Sequence, residues 1–171
     1  MKLKRVRIRD NLTSLQSPIS RGQFTKAFIK PHAERIRAEL KANGALPYDL
    51  LLPETYYLPT VIHDDEHVKA SLYGRYNYEG SIGRGALVAT NQRVIFLDKK
   101  PLFVHFDEIN FMIIGSITYT RTAIVGYVTL RTRLGNYQLR TFNHKNAYNF
   151  VKYIEEHCLR HQGNEKFDHV T

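Results

Sequence analysis

The side chains in this sequence most able to do chemistry are its cations and its histidines. Lys2, Lys4, Arg5, Arg7 and Arg9 crowd into the first nine positions. Such a basic arm suits an anionic partner: each cation contributes roughly 1 kcal/mol near an anionic bilayer, and the same five would bind nucleic acid without sequence preference. No aromatic residue interleaves them for base stacking, which ranks nucleic acid below a membrane surface. Arg131, Arg133 and Arg140 form a second basic group, which a simple register across the Gly135-Asn136 turn would put on one face of a hairpin. His63 and His67 flank Asp64-Asp65-Glu66, and His157 and His161 stand four apart, a spacing that can hold zinc on a helix. Neither pair has a third ligand at fixed spacing, so no metal and no cofactor is expected. Gly80 to Gly85 reads as a glycine-rich loop but lacks the Gly-Lys-Ser/Thr ending of a phosphate loop. There is no nucleophile motif and no convincing acid pair, and the single cysteine, Cys158, falls on an apolar stripe. Catalysis is not expected, and no small-molecule substrate is identified.

The chain that must position these groups has 171 residues and a formal net charge of +9. Its apolar fraction of 43% is enough for a real core. The charge is uneven: residues 1–44 carry a net +8, residues 45–68 a net −5 and residues 69–171 a net +6. One cysteine excludes an internal disulfide framework and suits a reducing compartment. No apolar run is long enough to span a bilayer, and no apolar block follows the basic start as in a signal peptide. The expected location is cytoplasmic, with peripheral membrane attachment open.

Residues 1–9 alternate as an edge strand or an arm, and Asn11 to Ser20 reads as a loop. Phe24, Ala27, Phe28, Ala33, Ile36 and Leu40 give residues 21–43 a helical stripe, which Pro31 kinks or divides, with Ser20 as N-cap and Gly44 as stop. Pro47, Pro53 and Pro59 make residues 45–62 a connector with one short helical turn. From His67 the pattern becomes strands and turns: His67 to Arg75, Ala86 to Thr90, Arg93 to Leu97, Leu102 to Phe106, Phe111 to Arg121, Ala123 to Leu134 and Tyr137 to Phe142. Asn143 can then cap a helix whose stripe is Ala147, Phe150, Val151, Ile154 and Cys158, with Gly163 as its stop.

Strands in meander followed by one amphipathic helix, together with the words DEHVKASLYGRY at 65–76, GALVATNQRVIFL at 85–97 and FDEI at 106–109, resemble bacterial PH domains of the YokE-like and GRAM-like kind. The resemblance covers about residues 62–160. It implies an α+β fold: a PH-like barrel of about seven antiparallel strands closed by a C-terminal helix, with a helical N-terminal extension. The division expected is 1–61 for arm, helices and connector, 62–162 for the PH-like unit and 163–171 for a flexible tail. Lipid or anion binding near the first strand–strand loop, Tyr76 to Gly83, would fall to Lys69, Arg75, Arg84 and Arg93, although that loop carries Glu79 and no lysine cluster. The function expected is non-catalytic binding and scaffolding, with a protein partner or a second copy held along strand edges. Attachment to anionic lipid comes next, and nucleic-acid binding by the basic arm third.

Overall fold

A computed structural model describes residues 21–78 and 80–165. Helix α1 spans Arg21–Ala42 as one element with Pro31 inside it, rather than as two helices. The connector is more helical than its prolines suggest: short turns at Asp49–Leu51 and Leu58–Thr60 flank α2, Pro53–Tyr57. Each proline opens a turn or precedes one, the positions where a missing N–H costs least.

Seven strands follow: β1 Val68–Tyr78, β2 Ser81–Thr90, β3 Val94–Lys99, β4 Val104–Ile109, β5 Ile114–Arg121, β6 Gly126–Thr132 and β7 Asn136–Thr141. They form one antiparallel sheet in the order β4-β3-β2-β1-β7-β6-β5. Helix α3, His144–Glu165, packs on its inner face. Asn143 caps it as the sequence indicates, its Oδ1 accepting the Asn146 N–H at 3.1 Å. Gly163 does not stop it, for the helix continues to Glu165.

The glycine-rich stretch is strand, not loop. Tyr78 pairs with Ser81, so β1 and β2 form a tight hairpin in which Gly80 takes a φ of +82°. Gly74 and Gly85 face each other across these strands. Both lie where backbones approach closely: a Cβ on Gly74 would stand 2.2 Å from the Arg140 carbonyl oxygen, and one on Gly85 2.8 Å from that of Leu97.

Two apolar layers sandwich the first half of the sheet. Inside, Leu72, Leu87, Phe96, Leu130 and Leu139 pack with Ala147, Phe150, Val151 and Ile154 of α3. Outside, Tyr73, Ala86, Val88, Ile95 and Leu97 are covered by Ile36, Leu40, Ala45, Leu50, Leu58 and Ile62. The N-terminal helix therefore docks on its own chain's sheet. A polar seam fixes it there: Glu39 accepts from the Val68 N–H at 2.8 Å and meets His67 Nδ1 at 2.8 Å, while Arg35 donates to the Glu66 carbonyl at 2.8 Å.

Candidate functional site

The residues named from sequence do not form one site. Arg93 is structural. Its guanidinium is bound to the fully buried Glu66 at 2.9 Å from both Nε and Nη2, and to Glu108 at 2.5 Å. Burial pushes the Glu66 carboxyl up, but hydrogen bonds from Arg93, the His63 N–H and the Thr90 hydroxyl outweigh it and hold the group below its ordinary value. Arg93 is thus committed to two carboxylates. Lys69 is exposed at the irregularity where the β1–β2 register shifts, six residues along β1 from Arg75.

The second group comes together. The register pairs Arg75 with Arg84 on one side and with Arg140 on the other. Three guanidinium-bearing residues therefore stand abreast on β2, β1 and β7, on one face of the sheet. All three are exposed, and none forms an ion pair among the described residues. Two are held by rings. Arg84 lies 4.9 Å over Tyr48 and donates to its hydroxyl at 2.6 Å, and Arg140 lies 5.8 Å from the Phe142 ring. They floor a cavity of about 550 Å³ walled by Leu46, Tyr48 and Asp49 of the connector and by Phe142, Asn143 and Asn146 at the start of α3. Asn146 is 2% exposed and its Oδ1 has no hydrogen-bond partner. Burial pushes the Asp49 carboxyl up, while the Leu46 N–H and the charge of Arg84 pull the other way without cancelling the shift.

The expected basic patch Arg131, Arg133 and Arg140 does not assemble. Arg131 pairs with Asn136 while Tyr127 is the partner of Arg140, so the two arginines share a face but lie four residue pairs apart along the ladder. Arg133 lies beyond β6 in the turn. The mouth of the barrel at the β1–β2 hairpin is aromatic and acidic rather than basic. Tyr78 stacks on Tyr137 at 4.5 Å, the Tyr137 hydroxyl donates to Asp107 at 2.8 Å, and the Tyr76 hydroxyl donates to Asp98 at 2.5 Å. The Tyr76 hydroxyl is pushed up to about 12 by burial and then by the Asp98 carboxylate.

His32, His63 and His67 serve the seam, while His105, His144 and His157 lie beside Asp107, Tyr119 and Phe111. His67 meets Glu39, His32 lies 3.0 Å from Asp64, and His63 lies 3.9 Å from Glu66. Lys2, Lys4, Arg5, Arg7 and Arg9 lie outside the described residues, as does the Ser20 cap. Among the described residues no helix is long and apolar enough to cross a membrane.

The third feature is the free edge at β4. The Lys100 N–H bonds to the Phe103 carbonyl at 2.9 Å, which sets the phase of the β3–β4 ladder. In that phase the backbone groups of Val104, Phe106 and Glu108 point away from β3. Leu102, Phe103 and Phe106 are exposed beside them, at 96%, 56% and 41%. The sequence reading placed Leu102 and Phe103 within this strand, whereas they belong to the turn before it.

A family model described as bacterial PH domain matches residues 62–156. The chain belongs to this family. Its sheet and closing helix have the PH-like order of seven antiparallel strands and one C-terminal helix. Similar solved structures include a DUF1696 family protein with a pleckstrin-homology domain from Shewanella loihica, 16% identical over 60% of this chain and 91% of that one, with a TM-score of 0.43. The C-terminal domain of an unknown protein from Leishmania infantum is 14% identical over 58% and 90%, also at 0.43. The linker-DH/PH domains of p115-RhoGEF are 10% identical over 79% of this chain and 42% of that one, at 0.40. No curated protein matches the sequence. For a bacterial PH domain, the feature that sequence reasoning missed is the partnership of Arg75 and Arg84 with Arg140. It depends on pairing between strands some 60 residues apart, and no local pattern announces it.

Proposed function

We infer that this bacterial PH domain is a non-catalytic binding and scaffolding module that associates with a second copy of itself along β4. The observation that carries this reading is the in-phase free edge flanked by Phe106. An antiparallel pairing centred on Phe106 puts the outward backbone groups of Val104, Phe106 and Glu108 opposite those of Glu108, Phe106 and Val104 in the other copy. It also sets His105 against Asp107 of that copy and Phe106 against Phe106, the charge and aromatic pairs that favour adjacent strands. An uncovered apolar edge is otherwise a liability that proteins blunt with lysine or proline, and β4 has neither.

Light scattering after size exclusion tests it, at about 50 and 500 mM salt, a range that strongly changes screening. The expected result is a dimer at both salts and a monomer for Phe106→Lys. A monomeric wild type, or a Phe106→Lys variant that stays dimeric, would overturn the reading.

A further inference from the structure

We propose that the arginine-floored cavity between the connector and the start of α3 is a binding site for a phosphate monoester. Like charges directly opposite one another on neighbouring strands are destabilising. Here that cost is incurred twice in succession, Arg84 beside Arg75 and Arg75 beside Arg140, and no ion pair is formed by any of the three among the described residues, the Asp49 carboxylate acting on Arg84 only at longer range. Sheet spacing places neighbouring chains about 4.8 Å apart, so the row offers forked donors along a line matching a multiply charged oxyanion rather than a single carboxylate. The two outer guanidiniums are already positioned by Tyr48 and Phe142, which reduces the ordering that binding would require.

The walls indicate the rest of the ligand. Asn146 and Asp49 line the walls, but the Asn146 Oδ1 is buried against Gly44 and the Asp49 carboxylate already accepts from the Leu46 N–H. The rings of Tyr48 and Phe142 suit a flat or apolar body. A volume of about 550 Å³ lies within the range of small-molecule sites. The site thus takes a phosphate group on the arginine row and a flat or apolar organic body against the two rings. It opens on the outer face of the sheet, away from the acidic and aromatic mouth of the barrel.

The test uses the full chain and three probes at matched ionic strength: adenosine monophosphate, glycerol 3-phosphate, and phosphatidylcholine vesicles containing phosphatidic acid. Melting temperature is read for the soluble probes and co-sedimentation for the vesicles. The wild type is expected to melt several degrees higher with a soluble monoester at tenfold its dissociation constant or more, or to sediment with the phosphatidic acid vesicles. The first result identifies a soluble ligand and the second a lipid headgroup. Arg75→Gln is expected to lose either response while melting at or above the wild-type temperature without ligand, because it relieves the like-charge row. No response from the wild type to any probe would overturn the proposal. So would a response that Arg75→Gln and Arg140→Gln retain in full, which would place the anion elsewhere.

Discussion

Replacing Glu66 by alanine is expected to destabilise the protein by about 3 kcal/mol, the lower end of the cost of removing one partner from a buried ion pair, because Arg93 keeps the more exposed Glu108. Glu66 is fully buried and accepts hydrogen bonds from Arg93, the Thr90 hydroxyl and the His63 N–H. Its loss leaves a guanidinium that is only 13% exposed with Glu108, at the surface, as its remaining carboxylate partner. At this chain length the melting temperature should fall on the order of 10 °C, and the urea midpoint should fall with little change in slope. Alanine at the exposed neighbour Asp65 is the control, expected to shift stability by less than about 0.5 kcal/mol. The pH dependence has a definite sign. Glu66 and Glu39 are both held below the ordinary glutamate value of 4.5: burial raises each, and hydrogen bonds and positive charge more than offset it. Their contribution is therefore complete above about pH 4.5 and is lost as the pH falls through the lowered folded-state values. The wild type should lose stability in that acid range more steeply than Glu66→Gln. A Glu66→Ala protein that melts with the wild type would refute the assignment of this pair as the clamp between connector and sheet.

Gly74→Ala should be comparably severe for a different reason. The new methyl would meet the Arg140 carbonyl at 2.2 Å, with the Arg140 carbonyl carbon at 3.0 Å behind it, and backbone cannot swing aside as a side chain can. Overpacking typically costs about 1–3 kcal/mol, and a clash against a strand that is itself fixed belongs at the upper end or beyond it. The joint it strikes is the β1–β7 pairing, Arg75 with Arg140 to Asn77 with Gln138, which unites the two halves of the sheet. Wedging β7 from β1 also separates Arg140 from Arg75, so this variant should lose amide-exchange protection at residues 75–77 along with stability. By contrast, a Cβ at Gly115 would have only one neighbour, 3.8 Å away. Gly115→Ala is the matched control, and equal losses at both positions would show that close approach at Gly74 is not the cause.

Much of the architecture can be read directly from residues. The alternation of Leu87 and Ala89, then Val94 and Phe96, puts them on the inner face where they lie. The Ala147, Phe150, Val151 and Ile154 stripe docks as its helical spacing indicates, and Asn143 caps that helix. The runs Ala86-Leu87-Val88-Ala89 and Val94-Ile95-Phe96-Leu97 hold a further message. Strands apolar at every position are buried on both faces, so a second covering layer was legible there before any coordinates. Gly83 and Gly85 misled because local composition indicates a loop, whereas the sheet needs glycine where Tyr76 and the Leu97 carbonyl come close. Arg93 looked like a ligand-binding cation because its acids, Glu66 and Glu108, lie 27 positions before it and 15 after. The arginine row stayed hidden because it rests on register between distant strands, which side-chain chemistry at any single position does not specify.

The layer formed by α1 and the connector bears on where this protein can be cut. The family match begins at residue 62, but the face formed by Tyr73, Ala86, Val88, Ile95 and Leu97 is covered by residues 36 to 62. A fragment starting at the homology boundary would expose that greasy surface to water and lose Glu39 from its bond to the Val68 N–H. Such a fragment should be recovered as aggregate, while one beginning ahead of α1 should remain in solution. The layer that covers the sheet thus extends beyond the matched residues and includes a helix that the match does not reach.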